Sequence, residues 1–166
     1  MRDPNFAGTV VLLCHHNSDG ALGVVINRQT NLTLREILEQ LDVEAGPGAD
    51  VQVLWGGPVE QGAGFVVFPG KVQDSSGWNL PGPLAVSPSR QQLEDVLFEG
   101  GPFFLALGYA GWGPGQLDNE IETGSWLYTE IDTDLVLDTP VPQRYDSALE
   151  KLGLTADQIW MVPVNE

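Results

Sequence analysis

Cys14 is the residue with the greatest intrinsic reactivity in this chain, and two histidines follow it directly. A thiol attacks as its thiolate, and a nearby imidazolium or cluster of backbone amides lowers its pKa. If Cys14 ends a strand, His16 lies on the same side, and the pair forms a candidate redox or catalytic site. This hypothesis predicts rapid alkylation of Cys14 by iodoacetamide in the folded protein. The alternative is that Cys14 packs in the core as a small hydrophobic residue.

A metal site at the same place is not predicted. Cys14, His15, His16 and Asp19 are all potential ligands, but neighbouring strand residues point to opposite faces. Only Cys14 and His16 readily converge, whereas zinc requires three or four ligands. A single cysteine also cannot form an internal disulfide, which favours a reducing compartment. We expect no metal and no cofactor.

A second unusual stretch covers residues 108–115, where four glycines accompany Tyr109 and Trp112 between a predicted strand and a predicted helix. It lacks the Lys-Ser/Thr of a phosphate-binding P-loop, and Asp118 and Glu120 would repel an anion. One interpretation is a groove that holds a peptide or small apolar ligand, with Trp112 partly accessible. The other is that both rings fill the core and the glycines let two chain segments cross closely. The first interpretation predicts these ligand-binding residues: Tyr109, Gly111, Trp112, Gly113, Gly115, Gln116 and Glu120.

The charge balance restricts the possible partners. The chain has 7 Lys and Arg against 23 Asp and Glu, a formal net charge of −16, and its cations are scattered. Proteins that bind DNA neutralise phosphates with a clustered basic face, so direct DNA binding is disfavoured. The acidity is compatible with basic partners, but adaptation to a salty cytoplasm is the favoured explanation. With no apolar signal segment or membrane span in the sequence, a cytoplasmic location is expected.

Local patterns predict short elements that position these residues. Thr33 and Glu36 form a capping box before apolar residues at helical spacing, which predicts a helix over residues 33–41. Ser87 and Pro88 predict the start of a second helix, Pro114 a third and Pro142 a fourth. Apolar and β-branched runs predict strands over residues 9–14, 21–26, 51–55, 64–68, 84–86, 103–109, 126–131 and 134–137. The strands 51–55 and 64–68 are expected to be antiparallel.

The length of 166 residues fits one domain over residues 1–166. Strands occur in runs punctuated by short helices, and 20 Gly and 12 Pro indicate many turns. The predicted fold class is therefore α+β, a single domain of coiled, mainly antiparallel sheet with about four short helices.

Several motifs resemble the AlgH/YqgE family across nearly the whole chain. They are Asp3 to Phe6, Cys14 with His16, Asn17 and Gly20, Gly23 with residues 26–28, residues 56–59, residues 108–117 with Glu120, and Trp126 with Leu127. The resemblance implies one α+β domain of coiled sheets, in a family described as uncharacterised or as transcriptional regulators. It implies no established catalytic activity. In the family a strand usually precedes the Asp-Pro motif, and an acidic residue is common at the position of His15.

Three functional hypotheses follow. The leading one is a non-enzymatic binding or regulatory module with a groove near residues 108–115, whose partner is a peptide, a protein or a small ligand. The second is a thiol-dependent redox sensor or enzyme that uses Cys14. The third, implied by the family alone, is a transcriptional regulator that acts indirectly.

Overall fold

A computed structural model describes residues 8–44, 46, 49–72 and 76–153 of the chain. The motif from Asp3 to Phe6 lies outside the described residues. Within the described residues, no helix is long and apolar enough to cross a membrane.

The chain alternates runs of strands with short helices. The strands are β1 (Val11–Asn17), β2 (Gly20–Val25), β3 (Gln29–Thr33), β4 (Gln52–Trp55), β5 (Val59–Phe68), β6 (Trp78–Leu80), β7 (Leu84–Ser87) and β8 (Phe104–Trp112). The α-helices are α1 (Leu34–Gln40), α2 (Arg90–Glu99), α3 (Gln116–Glu122), α4 (Thr133–Leu137) and α5 (Arg144–Lys151). The predicted α+β class is confirmed, with five α-helices in the described part of the chain.

The strands form one coiled sheet with the order β1-β2-β8-β5-β7-β6. The β3–β4 pair joins this sheet through β8. The two ends of the path, β1 and β6, contact each other, so the sheet is nearly closed into a barrel. Pairing is antiparallel throughout these strands except between β4 and β8, which run parallel.

Strands β4 and β5 run in opposite directions, as expected, but they do not pair with each other. Leu107 of β8 pairs with Trp55 of β4 and also with Gly64 of β5, so these two strands lie on opposite edges of β8. Between them, the backbone at Gly56 and Gly57 passes against the backbone of β8. The chain therefore crosses β8 here instead of turning back beside it.

The capping box at α1 is confirmed. The Thr33 hydroxyl accepts from the Glu36 amide at 3.3 Å, and the Glu36 carboxylate accepts from the Thr33 amide at 3.1 Å. Leu34 and Leu38 are buried as the periodicity predicts. The cap of α2 is Ser89 rather than Ser87, because Ser87 ends β7 and its hydroxyl accepts from the Ser89 amide.

Two predicted strands near the C-terminal end are wrong. Residues 126–131 form no strand, and residues 134–137 belong to α4. The Asp132 carboxylate accepts from the amides of Asp134 and Leu135, which is a helix N-cap. This local capping interaction outweighs the β propensity of the apolar residues that follow.

The core consists of three apolar clusters. The first lies between β1, β2, β5, β7 and α4 and contains Cys14. The second lies between the sheet and the helices α1 and α2 and contains Leu38, Val66 and Leu105. The third joins β2, the end of β8 and α3 and contains Trp112.

Candidate functional site

Cys14 lies inside the first apolar cluster and is only 9% exposed. It occupies a break in the β1–β2 register, and its thiol donates to the Leu12 carbonyl at 3.6 Å. Burial raises the pKa of the Cys14 thiol to about 12. The expected bias toward thiolate is therefore wrong, because desolvation penalises the charged form.

The two histidines have partners other than the thiol. Nε2 of His15 lies 2.9 Å from the side-chain amide of Asn17. Nε2 of His16 lies 2.9 Å from a carboxylate oxygen of Asp118, which joins the end of β1 to α3. The proposed pairing of Cys14 with His16 is thus replaced by a surface pair. In the part of the chain that the structure describes, no three potential metal ligands come together.

The glycines of residues 108–112 belong to β8 rather than to a loop, because this strand continues to Trp112. Gly108 has φ +83°, and a Cβ there would lie 2.3 Å from the carbonyl oxygen of Gly57. A Cβ at Gly57 would lie 2.1 Å from the carbonyl carbon of Tyr109. These contacts support the interpretation in which glycine permits two chain segments to cross.

Tyr109 and Trp112 pack into different clusters, so they do not line one cleft. The Tyr109 ring meets Phe65 edge to face, with centroids 5.9 Å apart, in the first cluster. The Trp112 ring meets Trp126 edge to face at 5.8 Å in the third cluster. Trp112 is 7% exposed, so the expectation that it is partly accessible is wrong.

Glu120 connects several residues of the predicted ligand site to one another. Its carboxylate accepts from the indole N–H of Trp112 at 3.2 Å and of Trp126 at 2.8 Å. It also accepts from the Gln116 amide at 3.0 Å, while Gln116 accepts from the Gly113 backbone N–H at 2.9 Å. This network fastens α3 to the end of β8. The assignment of these residues to a ligand site stays a prediction, and each of these polar side chains already has a partner within the protein.

Sequence reasoning missed a groove between α1 and α2, which we call the α1–α2 groove. Its volume is about 370 Å³, and β5 and β8 form its floor. The apolar lining residues are Leu32, Ile37, Leu41, Val66, Pro88, Leu93, Leu105 and Leu107. Polar groups come from Gln40, Gln61, Ser89 and Arg90, and the two floor glycines are Gly62 and Gly64. Leu107, which lines the groove, immediately precedes the glycine-rich segment in the chain.

One of the floor glycines, Gly62, contributes to the open space of the groove. Gly62, Gly64 and Val66 alternate along β5, and all three line the groove. A Cβ at Gly62 would meet no atom within 4 Å, and its φ is outside the left-handed region. The missing side chain thus leaves space without any backbone requirement for glycine. The Gly-x-Gly spacing in a strand is the sequence signal that could have indicated this groove.

Arg90 joins the two helices at the groove. Its guanidinium donates to the carbonyl of Leu41, which caps the C-terminal end of α1. It also lies 3.8 Å from the carboxylate of Glu94 on its own helix. The Arg90 side chain therefore links α1 and α2, the two helices that form the walls of the groove.

Sequence reasoning also gave no structural role to Arg144, a buried cation that is only 5% exposed. Its guanidinium donates to the carbonyls of Ile26 at 2.6 Å and Thr139 at 2.9 Å and lies over the Phe104 ring. Burial lowers the pKa of Arg144 to about 10, which still leaves it charged at neutral pH. These contacts anchor α5 to the sheet.

A second cavity, of about 360 Å³, lies beside α4 and α5 and is lined mainly by polar residues. Lys151 and Asp132 form an ion pair of 3.1 Å in its wall. Neither of these two cavities includes a residue of the glycine-rich segment 108–115 among its lining. The α1–α2 groove is the more apolar of the two.

The chain is similar to proteins of one family over nearly its whole length. The profile of the family DUF179, described as AlgH-like, matches residues 1–157. A UPF0301 protein of Ralstonia nicotianae is 42% identical over 158 residues, covering 93% of this chain and 83% of that protein. A UPF0301 protein of Bordetella avium is also 42% identical, over 93% of this chain and 80% of its own length.

Two solved structures share the fold. The solution structure of the AlgH protein from Pseudomonas aeruginosa has a TM-score of 0.77 and 38% identity, and the match covers 98% of this chain and 88% of that one. The crystal structure of protein DIP2367 from Corynebacterium diphtheriae has a TM-score of 0.71 and 21% identity over 91% of this chain and 81% of that one. At this lower identity the second match concerns the fold alone.

Proposed function

The chain belongs to the AlgH-like family, and from this premise we propose that it is a non-enzymatic binding module whose site is the α1–α2 groove. The observation that carries the proposal is the mainly apolar groove with open space above Gly62. It replaces the groove expected around Tyr109 and Trp112. The two locations adjoin, because Leu107 lines the groove and precedes Gly108.

The size and lining of the groove suit a ligand. Small-molecule sites are concave, mostly apolar, and roughly 300 to 1,000 Å³ in volume, with a few polar groups that orient the ligand. The α1–α2 groove, at about 370 Å³, falls at the lower end of that range. The amides of Gln40 and Gln61 supply donors and acceptors beside the apolar walls.

The chemistry of the lining favours binding over catalysis. Among the described residues, no Cys, His, Asp, Glu or Lys lines the groove, and Arg90 is its one ionisable group. The hydroxyl of Ser89 accepts from the Gln92 amide as the helix cap. Nucleophilic or acid–base catalysis needs a nucleophile beside a base, and this lining has no such pair.

The thiol-dependent alternative receives no support from Cys14, whose burial raises its pKa to about 12. A regulatory function would then act through whatever occupies the groove. Such a module fits the indirect regulator considered for this family.

The test uses the neutral apolar fluorophore N-phenyl-1-naphthylamine and a variant that fills the groove. Gly62→Leu adds a side chain where a Cβ meets no atom, so the fold should be retained. Gly101→Leu is the matched control, because Gly101 is equally open but follows α2 outside the groove lining.

We expect the fluorophore to bind the unaltered protein and Gly101→Leu alike. Its affinity for Gly62→Leu should fall by about tenfold or more, because the leucine side chain occupies the space in which the fluorophore would contact the apolar lining. Circular dichroism verifies that both variants are folded. Binding that Gly62→Leu leaves unchanged, or no binding to the unaltered protein, would contradict the proposal.

A further inference from the structure

We propose that the α1–α2 groove takes a basic amphipathic peptide segment of another protein. Its apolar side chains lie in the groove, and its Lys or Arg side chains face the acidic surface around it. This inference deepens the proposed function and rests on it. The charges on the groove-forming elements carry the argument.

Carboxylates outnumber cations on the elements that form the groove. On α1, α2, β5 and β8 the acidic residues are Glu36, Glu39, Glu60, Glu94, Asp95 and Glu99. The basic residues on the same elements are Arg35 and Arg90. An oppositely charged partner is attracted to such a surface, and a negatively charged amphipathic ligand is repelled.

Both of these arginines already have anionic or carbonyl partners. Nε of Arg35 lies 2.9 Å from a carboxylate oxygen of Asp50, and the pair raises the pKa of Arg35 and lowers that of Asp50. Arg90 donates to the Leu41 carbonyl and lies near Glu94. Neither guanidinium is therefore well placed to attract the carboxylate of a fatty acid.

The end of α1 adds to the negative potential at the groove. Gln40 and Leu41 line the groove at this end, where the helix dipole is negative. The last turn of α1 contains no basic side chain. A cationic side chain beside this helix end would be stabilised, as Arg90 already is.

Polar groups in the groove match a peptide backbone. Gln40 and Gln61 each present an amide donor and an amide acceptor, the same two groups that a peptide bond carries. β7 pairs with β5 only from Val66 to Phe68. Gly62 and Gly64 precede that pairing and line the groove, so a peptide can approach the strand closely there.

The experiment uses two synthetic amphipathic peptides in which leucine alternates with a charged residue, lysine in one peptide and glutamate in the other. Binding to the full chain is measured by calorimetry at low and moderate salt. Gly62→Leu tests the groove, and Gly101→Leu is its control. The charge at the groove rim is tested by combining Glu39→Gln, Glu60→Gln and Glu94→Gln, which adjoin the lining residues Gln40, Gln61 and Leu93. The substitutions Glu122→Gln, Glu130→Gln and Asp138→Asn form a remote triple of equal charge.

We expect the lysine peptide to bind the unaltered protein, Gly101→Leu and the remote triple with similar affinity. Gly62→Leu and the rim triple should each weaken it by about tenfold, and added salt should weaken it further. The neutral fluorophore should bind the rim triple normally, because that variant leaves the apolar lining intact.

Three outcomes would overturn the inference. In the first, the glutamate peptide binds as tightly as the lysine peptide. In the second, Gly62→Leu leaves the affinity for the lysine peptide unchanged. In the third, the rim triple and the remote triple lower that affinity equally. If the fluorophore binds in the groove but the lysine peptide does not, the inference fails and the proposed function stands. If the fluorophore does not bind either, the proposed function fails.

Discussion

The thiol of Cys14 is buried in an apolar cluster with side chains of β1, β2 and β7, including Leu12, Val24 and Val86. This environment suppresses ionisation, because a thiolate there would lose its hydration without gaining a cationic partner. The thiol therefore acts as part of the core. His16 forms its ion pair with Asp118 on the surface instead.

We predict that Cys14 is protected from iodoacetamide in the folded protein and labelled fully after denaturation. With a pKa of about 12 in place of 9.0, its thiolate fraction near pH 8 is lower by about three orders of magnitude. Mass spectrometry of alkylation against pH provides the measurement. Labelling of the folded chain at the rate of a small free thiol would contradict this placement.

The raised pKa of Cys14 also makes the free energy of unfolding depend on pH. Above about pH 9 the unfolded chain loses the thiol proton while the folded chain retains it, so the stability that this group contributes declines as pH rises toward 12.

At the scale of elements, the Glu120 carboxylate joins α3 to the sheet alongside apolar contacts. Glu120 accepts from the indoles of Trp112 on β8 and Trp126 beyond α3, and from Gln116 within the helix. Leu117 of α3 is buried in the same cluster. Polar and apolar contacts thus dock a helix of seven residues that would be unstable alone.

Glu120→Ala should therefore destabilise the protein by about 2 to 4 kcal/mol, because three donors lose their shared acceptor in a partly buried site. Urea unfolding followed by circular dichroism gives the free energy of unfolding. Glu122→Ala on the same helix is the control, since Glu122 is exposed. A loss no larger than that of the control would show that the network contributes little.

On the scale of the whole molecule, the net charge of −16 dominates long-range interactions. Arg35, Arg90 and Lys151 each pair with a neighbouring carboxylate, and Arg144 is buried. In the part of the chain that the structure describes, these cations therefore do not form the clustered basic surface that binds phosphates.

We predict that the purified protein does not bind duplex DNA specifically at physiological salt. Binding would require cations that release the counterions of the phosphate backbone. Gel retardation with competitor DNA is the measurement. A sequence-specific shift that competitor leaves undiminished would contradict the prediction.

Local signals in the sequence predicted most helices and strands but not how these elements pair and pack against one another. The capping box of Thr33 and Glu36 fixed α1, since its partners are three residues apart. The crossing of Gly57 over β8 brings together residues about a third of the chain apart. The glycines allowed a close crossing as one interpretation, but no local pattern showed which two segments meet. The prediction of a strand over residues 134–137 is wrong because the Asp132 side chain caps a helix there, and this local interaction outweighs the β propensity of the apolar residues.

Composition and local periodicity by themselves determined the α+β class, the buried face of α1 and the acidic surface. These properties depend on residue type or on contacts within one turn or strand. Only the tertiary structure decided that Cys14 is desolvated, that Tyr109 and Trp112 pack apart, and that a groove opens above Gly62. The physical reason is that burial, electrostatic environment and cavity shape arise from atoms brought together by distant segments of the chain.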